Sequence, residues 1–121
     1  KIYDGLTPGG RFLLDVCSIR QYDSFSESRT WEIEEGGFWS ADRYLCLSAN
    51  LKYPDYTTLN QFVIITQNET KIYYIWNHCF TRESLLEEAI EAGFRPLQVY
   101  SNVAGKPYMD DSLTIAVLLE K

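Results

Sequence analysis

The chain has 121 residues, of which 45% are hydrophobic and 23% charged, and a formal net charge of −6 at pH 7. That mixture suits one ordinary globular domain with a modest core and excludes a disordered segment. The acidic balance argues against a non-specific nucleic-acid surface, and no apolar run approaches the ~20 residues of a membrane-spanning helix.

Lys1 to Leu6 reads as the end of a helix, with Asp4-Gly5 as its stop. The chain does not begin with methionine, so a piece of a longer protein is expected. In Thr7-Pro8-Gly9-Gly10, Pro8 pre-sets φ for the first central position of a turn, and Gly9 accepts the positive φ of a type II turn. The apolar run Phe12-Leu13-Leu14 that follows predicts a strand over 11–17 covered on both faces. Asp15 stands near its carboxyl end, where open α/β sheets place ligands. Ser18 can cap a short helix around 19–25, and 24–29 reads as loop.

The next stretch changes period. Trp31 and Ile33 alternate with Glu32 and Glu34, a half-buried strand, and Gly36-Gly37 turns the chain. From 43 to 51, Leu45, Leu47, Ala49 and Leu51 fall on one face and Tyr44, Cys46, Ser48 and Asn50 on the other. Pro54-Asp55 predicts a turn, 56–66 a long strand, 67–70 a hairpin loop and 71–80 the return strand. Local connections make this an antiparallel sheet. Asn68-Glu69-Thr70 matches a glycosylation sequon but reads as that turn, since no secretory signal is expected.

Helical spacing then takes over. Thr81 is an N-cap, Glu83 favours the positive end of the helix dipole, and Leu85, Leu86, Ala89 and Ile90 form the apolar stripe. Gly93 ends the helix. A strand over 94–101, a loop over 103–111 and an apolar strand over 112–120 complete the chain. The run Ile115-Ala116-Val117-Leu118-Leu119 fits a central strand. The expected order therefore puts 112–119 beside and antiparallel to 11–16, with 94–101 at the far edge.

Two stretches carry a resemblance. Leu6-Thr7-Pro8-Gly9-Gly10-Arg11-Phe12-Leu13-Leu14-Asp15-Val16 is similar to the fifth-strand entry of class I S-adenosylmethionine-dependent methyltransferases. Phe80 to Phe94, with its Ala92-Gly93-Phe94 exit, resembles the last helix of the same family, and two strands follow as they do there. The resemblance covers 1–18 and 78–121, while 29–77 matches in kind an antiparallel sheet that some members insert over the substrate side. The implied fold class is α/β: the C-terminal part of a Rossmann-like methyltransferase sheet, which in isolation is a mostly antiparallel α+β structure. The resemblance implies one partial domain in three parts: a fifth-strand unit (1–28), the inserted sheet (29–80) and the last helix with its strand pair (81–121). The family's glycine-rich cofactor loop and acidic second-strand end have no counterpart, since Gly9-Gly10 and Gly36-Gly37 lack the strand–turn–helix context. S-adenosylmethionine is accordingly implied for the full-length protein, with none expected bound to this stretch. The implied partner is a small-molecule methyl acceptor.

The residues offer several candidates for chemistry. His78, the sole histidine, shares a strand face with Trp76 and Tyr74 and is either a general base for a methyl acceptor or a core or edge histidine bonded to backbone. Asp15, Ser18 and Tyr22 follow the carboxyl end of the first strand and face the crevice where substrate would lie, unless Asp15 and Ser18 simply cap the short helix. Aromatic residues gather in or beside the middle sheet, and two or three of them, with Trp31, Trp39, Tyr74 and Trp76 foremost, are expected to line a pocket for a flat or apolar ligand. A metal site is not expected, because there is no second histidine and no paired-cysteine motif. Cys17, Cys46 and Cys79 fit free thiols in a reducing cytosol, so a cytoplasmic location is expected.

Three readings of function remain at this point: part of a methyltransferase, a non-catalytic ligand-binding module, or a dimerisation module. A homodimer or higher oligomer is expected through an unpaired edge of strand 11–16, with Phe12, Leu14 and Ile115 as an exposed patch, or through the aromatic middle sheet. No nucleic acid or membrane partner is expected. A strand with a glycine-rich loop roughly one domain's length upstream would decide for the enzyme.

Overall fold

The turn before the first long strand forms as its residues require. Gly10 N–H donates to the Thr7 carbonyl at 2.8 Å, and Gly9 takes φ 75°. The computed structural model describes residues Lys1–Lys121 and divides into two units, one of residues 1–24 with 79–121 and one of residues 25–78.

In the first unit, helix α1 (Ile2–Gly5) leads into β1 (Arg11–Cys17) and the short helix α2 (Ile19–Ser24). After the second unit the chain returns to form α3 (Arg82–Glu91), β6 (Arg95–Tyr100) and β7 (Thr114–Glu120). The sheet order is β1-β7-β6, and both outer strands run antiparallel to β7, so β1 and β6 are parallel to each other. The sequence-based order is therefore the observed one. Ile115, Val117 and Leu119 are almost wholly removed from water, as a central strand demands. They pack with Leu85, Ala89 and Phe94, against which Phe12, Leu14 and Val16 also lie.

The expectation that β1 is covered on both faces does not hold. Its burial alternates, and Leu13 is 44% exposed. Helix α3 covers only the face of Phe12, Leu14 and Val16, so the expected patch of Phe12, Leu14 and Ile115 is not a surface; the residue on the open face is Leu13. On the helix, Leu85 and Ala89 are buried, but Ile90 lies one step outside the stripe and is 58% exposed.

Thr81 is the N-cap and forms a capping box with Ser84: Ser84 N–H donates to Thr81 Oγ1 at 3.0 Å, and Thr81 N–H donates to Ser84 Oγ at 3.1 Å. Gly93 follows at φ 97°, and a Cβ there would stand 3.1 Å from the Tyr3 ring, so glycine serves both the reversal and the packing. The bulge between Pro96 and Gln98 lies in the edge strand, where proline is tolerated. At the same end of the sheet Glu120 bridges Arg95 and Arg11.

The second unit is a meander of β2 (Ser28–Glu34), β3 (Tyr44–Tyr53), β4 (Thr57–Ile65) and β5 (Thr70–His78), in that spatial order. β2 begins inside the stretch expected to be loop, and the final strand stops at His78. The turn into β4 uses two left-handed residues, Asp55 at φ 58° and Tyr56 at φ 56°, so Tyr56 belongs to the turn. The registers put Trp31, Leu47, Val63 and Ile72 on one row and Leu51, Leu59 and Trp76 on another row of the same face. The opposite face carries the buried cluster Tyr44, Cys46 and Ile64, packed by Trp39, Phe62 and Tyr73. Trp31 and Ile33 are thus exposed rather than half-buried, Trp31 by 69%. A chain of side-chain hydrogen bonds crosses all four strands on the cluster's face: Asn77 Nδ2 to Asn60 Oδ1 at 3.4 Å, Asn60 Nδ2 to Asn50 Oδ1 at 2.7 Å, and Asn50 Nδ2 to Ser28 Oγ at 2.9 Å.

Two outcomes test this packing. Leu119→Ala is expected to cost about 2–5 kcal/mol and Leu13→Ala under about 0.5 kcal/mol, read from urea unfolding midpoints. The hydrogen bond from Arg95 holds the Glu120 carboxyl below the ordinary carboxylate range, with Arg11 adding to it against a smaller opposing effect of burial. A depressed folded-state value contributes stability above the unfolded value and loses it as pH falls through the folded one. Glu120→Gln should therefore flatten the loss of stability as pH falls below the ordinary glutamate range, and an unchanged acid limb would contradict the assignment.

Candidate functional site

Because β1 and β6 are parallel, their carboxyl ends lie at the same edge of the sheet, and β7 starts there. Loops gather at this edge and hydroxyl groups fix them. Ser101, buried after β6, donates through Oγ to the Pro107 carbonyl at 2.9 Å and accepts Met109 N–H at 3.0 Å. Its carbonyl accepts from Thr114 Oγ1 at 2.6 Å and Ser112 Oγ at 3.2 Å. Ser18, buried after β1, donates through Oγ to the Ser112 carbonyl and accepts Arg20 N–H at 3.1 Å. The loop 102–113 is thereby tied to both parallel strands.

A cleft of about 190 Å³ opens at this edge, between the Ser18–Arg20 segment, the first turn of α3 and the 102–113 loop. Arg20, Arg82, Glu83, Tyr108 and Asp110 give it polar walls, and Phe80 and Ile115 line it as well. Arg20 Nε donates to the Asp110 carbonyl at 3.0 Å, and the Arg82 guanidinium lies over the Tyr108 ring, 5.5 Å from its centroid. Burial pushes the Tyr108 hydroxyl up from its ordinary pKa, and the neighbouring Asp110 carboxylate, which accepts its hydrogen bond, adds to the shift. Tyr108 therefore stays protonated near neutral pH and acts as a donor rather than a base. With the Tyr108 proton held by Asp110, the cleft presents the carboxylate and the phenol oxygen as acceptors, a combination suited to orienting a hydroxyl or amine.

The sequence-derived candidates fall in different places. Ser18 lines the cleft, with its side chain engaged in structural hydrogen bonds. Asp15 is exposed and shares the open sheet face with Leu13, opposite Ala116 in register. Tyr22 is half-buried in α2, and its backbone N–H reaches the Cys79 sulfur. The remaining candidates belong to the second unit. Trp31, Tyr74 and Trp76 are exposed on one face of the meander, with Tyr53 against Trp76 at 5.2 Å. Trp39 packs the other face, stacked on Tyr73 at 4.6 Å and tilted on Phe62 at 5.1 Å. His78 lies on the Trp76 face, with Nδ1 3.3 Å from Thr57 Oγ1. Beside Trp31 a trough of about 310 Å³ runs along Leu47, Ala49, Gln61 and Val63.

Sequence reasoning missed Arg20, Arg82, Tyr108 and Asp110. No short motif joins them, since the cleft draws on three segments that only the sheet order brings together.

No protein-family model matches the chain, and no curated protein matches it. Solved structures do. The CcbJ methyltransferase from Streptomyces caelestis superposes with TM-score 0.64 and 14% identity over 96% of this chain and 45% of that one. An S-adenosylmethionine-dependent methyltransferase from Clostridium acetobutylicum ATCC 824 superposes with TM-score 0.66 and 12% identity over 97% of this chain and 46% of that one. The chain has the fold of part of these methyltransferases and spans just under half of their length.

Ser101 offers a test of how the edge is built. Ser101→Ala would leave the Pro107 carbonyl and Met109 N–H without their partner, at a cost of about 1–3 kcal/mol each. Faster amide exchange at Met109 is expected, and unchanged exchange would show that the hydroxyl does not hold the loop.

Proposed function

We propose that this chain is the C-terminal, acceptor-handling portion of an S-adenosylmethionine-dependent methyltransferase that acts on a small molecule. The observation that carries the reading is the antiparallel β7 set between parallel β1 and β6, in a fold shared with the two solved methyltransferases. S-adenosylmethionine would supply an electrophilic methyl group, but the residues present do not fit a nucleoside site of their own. Gly9-Gly10 lead straight into β1 and Gly36-Gly37 lie between β2 and β3, so neither opens a helix after a strand. The cofactor site is accordingly assigned to residues outside this stretch.

Within the stretch, Tyr108 and Asp110 orient an acceptor hydroxyl or amine at the carboxyl edge, beside Ser18. Asp15 and Tyr22 remain substrate-contact candidates on the neighbouring faces of β1 and α2. Taken by itself, the second unit keeps Trp31, Tyr74 and Trp76 as candidates for an apolar binding face, with His78, 3.3 Å from Thr57 Oγ1, as the candidate base on that face and Trp39 supporting the sheet from its other side. The protein is proposed to work in the cytoplasm.

A second reading has its own support. The strand positions of the Trp31–Trp76 face carry no carboxylate in a chain of net charge −6, so two copies can meet there without repulsion. On that reading the unit is a dimerisation or ligand-binding module. Trp76→Lys separates the two: a fall from dimer to monomer in sedimentation supports the second reading, and a raised KM for methyl transfer with sedimentation unchanged supports the first.

Calorimetry tests the main reading. S-adenosylmethionine is expected to bind the full-length protein and not residues 1–121 alone. Micromolar binding by 1–121 would overturn the division of labour, and no binding by the full-length protein would overturn the assignment to methyl transfer.

A further inference from the structure

Two of the three cysteines come together where the chain re-enters the first unit. Cys17 ends β1 and is half-buried, and Cys79, the first residue after the meander, is only 2% exposed. Between them the backbone makes a parallel bridge, Ser18 with Phe80. Phe80 N–H donates to the Cys17 carbonyl at 2.8 Å, and Ile19 N–H donates to the Phe80 carbonyl at 3.0 Å. This register sets Cys79 directly beside Cys17. Hydrogen-bonded neighbours in a sheet lie about 4.8 Å apart, inside the roughly 4.4–6.8 Å between Cα atoms that a disulfide spans. The two thiols are in hydrogen-bond contact, and the Tyr22 backbone N–H faces the Cys79 sulfur.

We propose that Cys17 and Cys79 form a reversible disulfide site that low-molecular-weight disulfides such as oxidised glutathione close. The more accessible Cys17 reacts first. Its thiolate attacks one sulfur of glutathione disulfide, the S–S bond of that molecule breaks, and one glutathione leaves as thiolate. Cys79 sulfur then attacks the mixed disulfide on Cys17, losing its proton to solvent and releasing the second glutathione. Two protein thiols are oxidised, one small-molecule disulfide is reduced, and thiol reductants reverse both steps. Burial, with Cys17 adding to it, raises the Cys79 thiol, which keeps that residue protonated and slow to react without its neighbour. Cys46 stands apart: it is buried in the meander cluster, with Sγ 3.4 Å from Ser48 Oγ.

The bond closes a loop that contains all of residues 25–78, so its effect is largest on the unfolded chain. The bridge it secures also leads directly into Thr81, the cap of α3.

The test is oxidation of the folded protein with glutathione disulfide, followed by alkylation, peptide mapping and thermal unfolding. The expected product links Cys17 to Cys79, leaves Cys46 alkylated, and raises Tm by several degrees until dithiothreitol restores it. An unfolded control in urea should favour the shorter loops, Cys17–Cys46 and Cys46–Cys79. The same mixture from folded and unfolded protein, or a stable glutathione adduct on Cys17 without ring closure, would overturn the proposal. Cys17→Ser, at the less buried position, should abolish both the link and the Tm shift. A Tm shift that persists in that variant would also overturn it.

Discussion

The structure of the first unit depends on one strand being bonded on both sides in the reverse direction. β7 gives its backbone to β1 and β6 alike, and the run Ile115 to Leu119 makes that position favourable, because a strand between two others sheds water from its backbone and from its core face. Once β7 is antiparallel to both neighbours, β1 and β6 must be parallel, and their carboxyl ends must share an edge. The hydroxyls of Ser18, Ser101, Ser112 and Thr114 lie at that edge and join its loops to the strands. The cleft with Tyr108 and Asp110 is a consequence of strand direction, not of any local motif.

The meander obeys a different rule. Its buried cluster is small, and the face that holds it adds a polar chain of three asparagines and a serine across the strands. Each amide in that chain donates to the next, so a substitution at Asn60 would break two links at once. Such a ladder fixes register, since a slip of one residue would put the amides on the apolar face and the apolar rows on the amide face. The opposite face leaves Trp31, Tyr74 and Trp76 exposed.

Much of this was legible in the sequence, and the reasons are specific. Pro8 and Gly9 announced a turn because each permits only a narrow range of φ or a rare one. Thr81 announced a helix start, and the apolar run at 115–119 announced a central strand; each is a local signal with a local cause. The resemblance to methyltransferases rested on the two segments that carry those signals, and the fold agrees with it. What was not legible depended on which face is covered. Leu13 and Leu14 are equivalent in composition, and only the position of α3 on one side of the sheet separates the exposed residue from the packed one. Trp31 and Trp39 likewise read as similar aromatics, yet the registers place Trp31 on the face opposite the cluster that Trp39 packs. The cleft residues Arg20, Arg82, Tyr108 and Asp110 come from distant segments, and no spacing rule connects them.

The central claim is that the shared carboxyl edge of β1 and β6 faces the reacting groups of a methyl transfer whose cofactor is held by the rest of the protein. A crystal structure of the full-length protein with S-adenosylhomocysteine tests it most directly. The account predicts the nucleoside held by residues outside 1–121, with its sulfur directed toward the edge that carries Ser18 and Tyr108. A nucleoside bound at the opposite end of the sheet, near the Arg11–Glu120–Arg95 bridge, would contradict it.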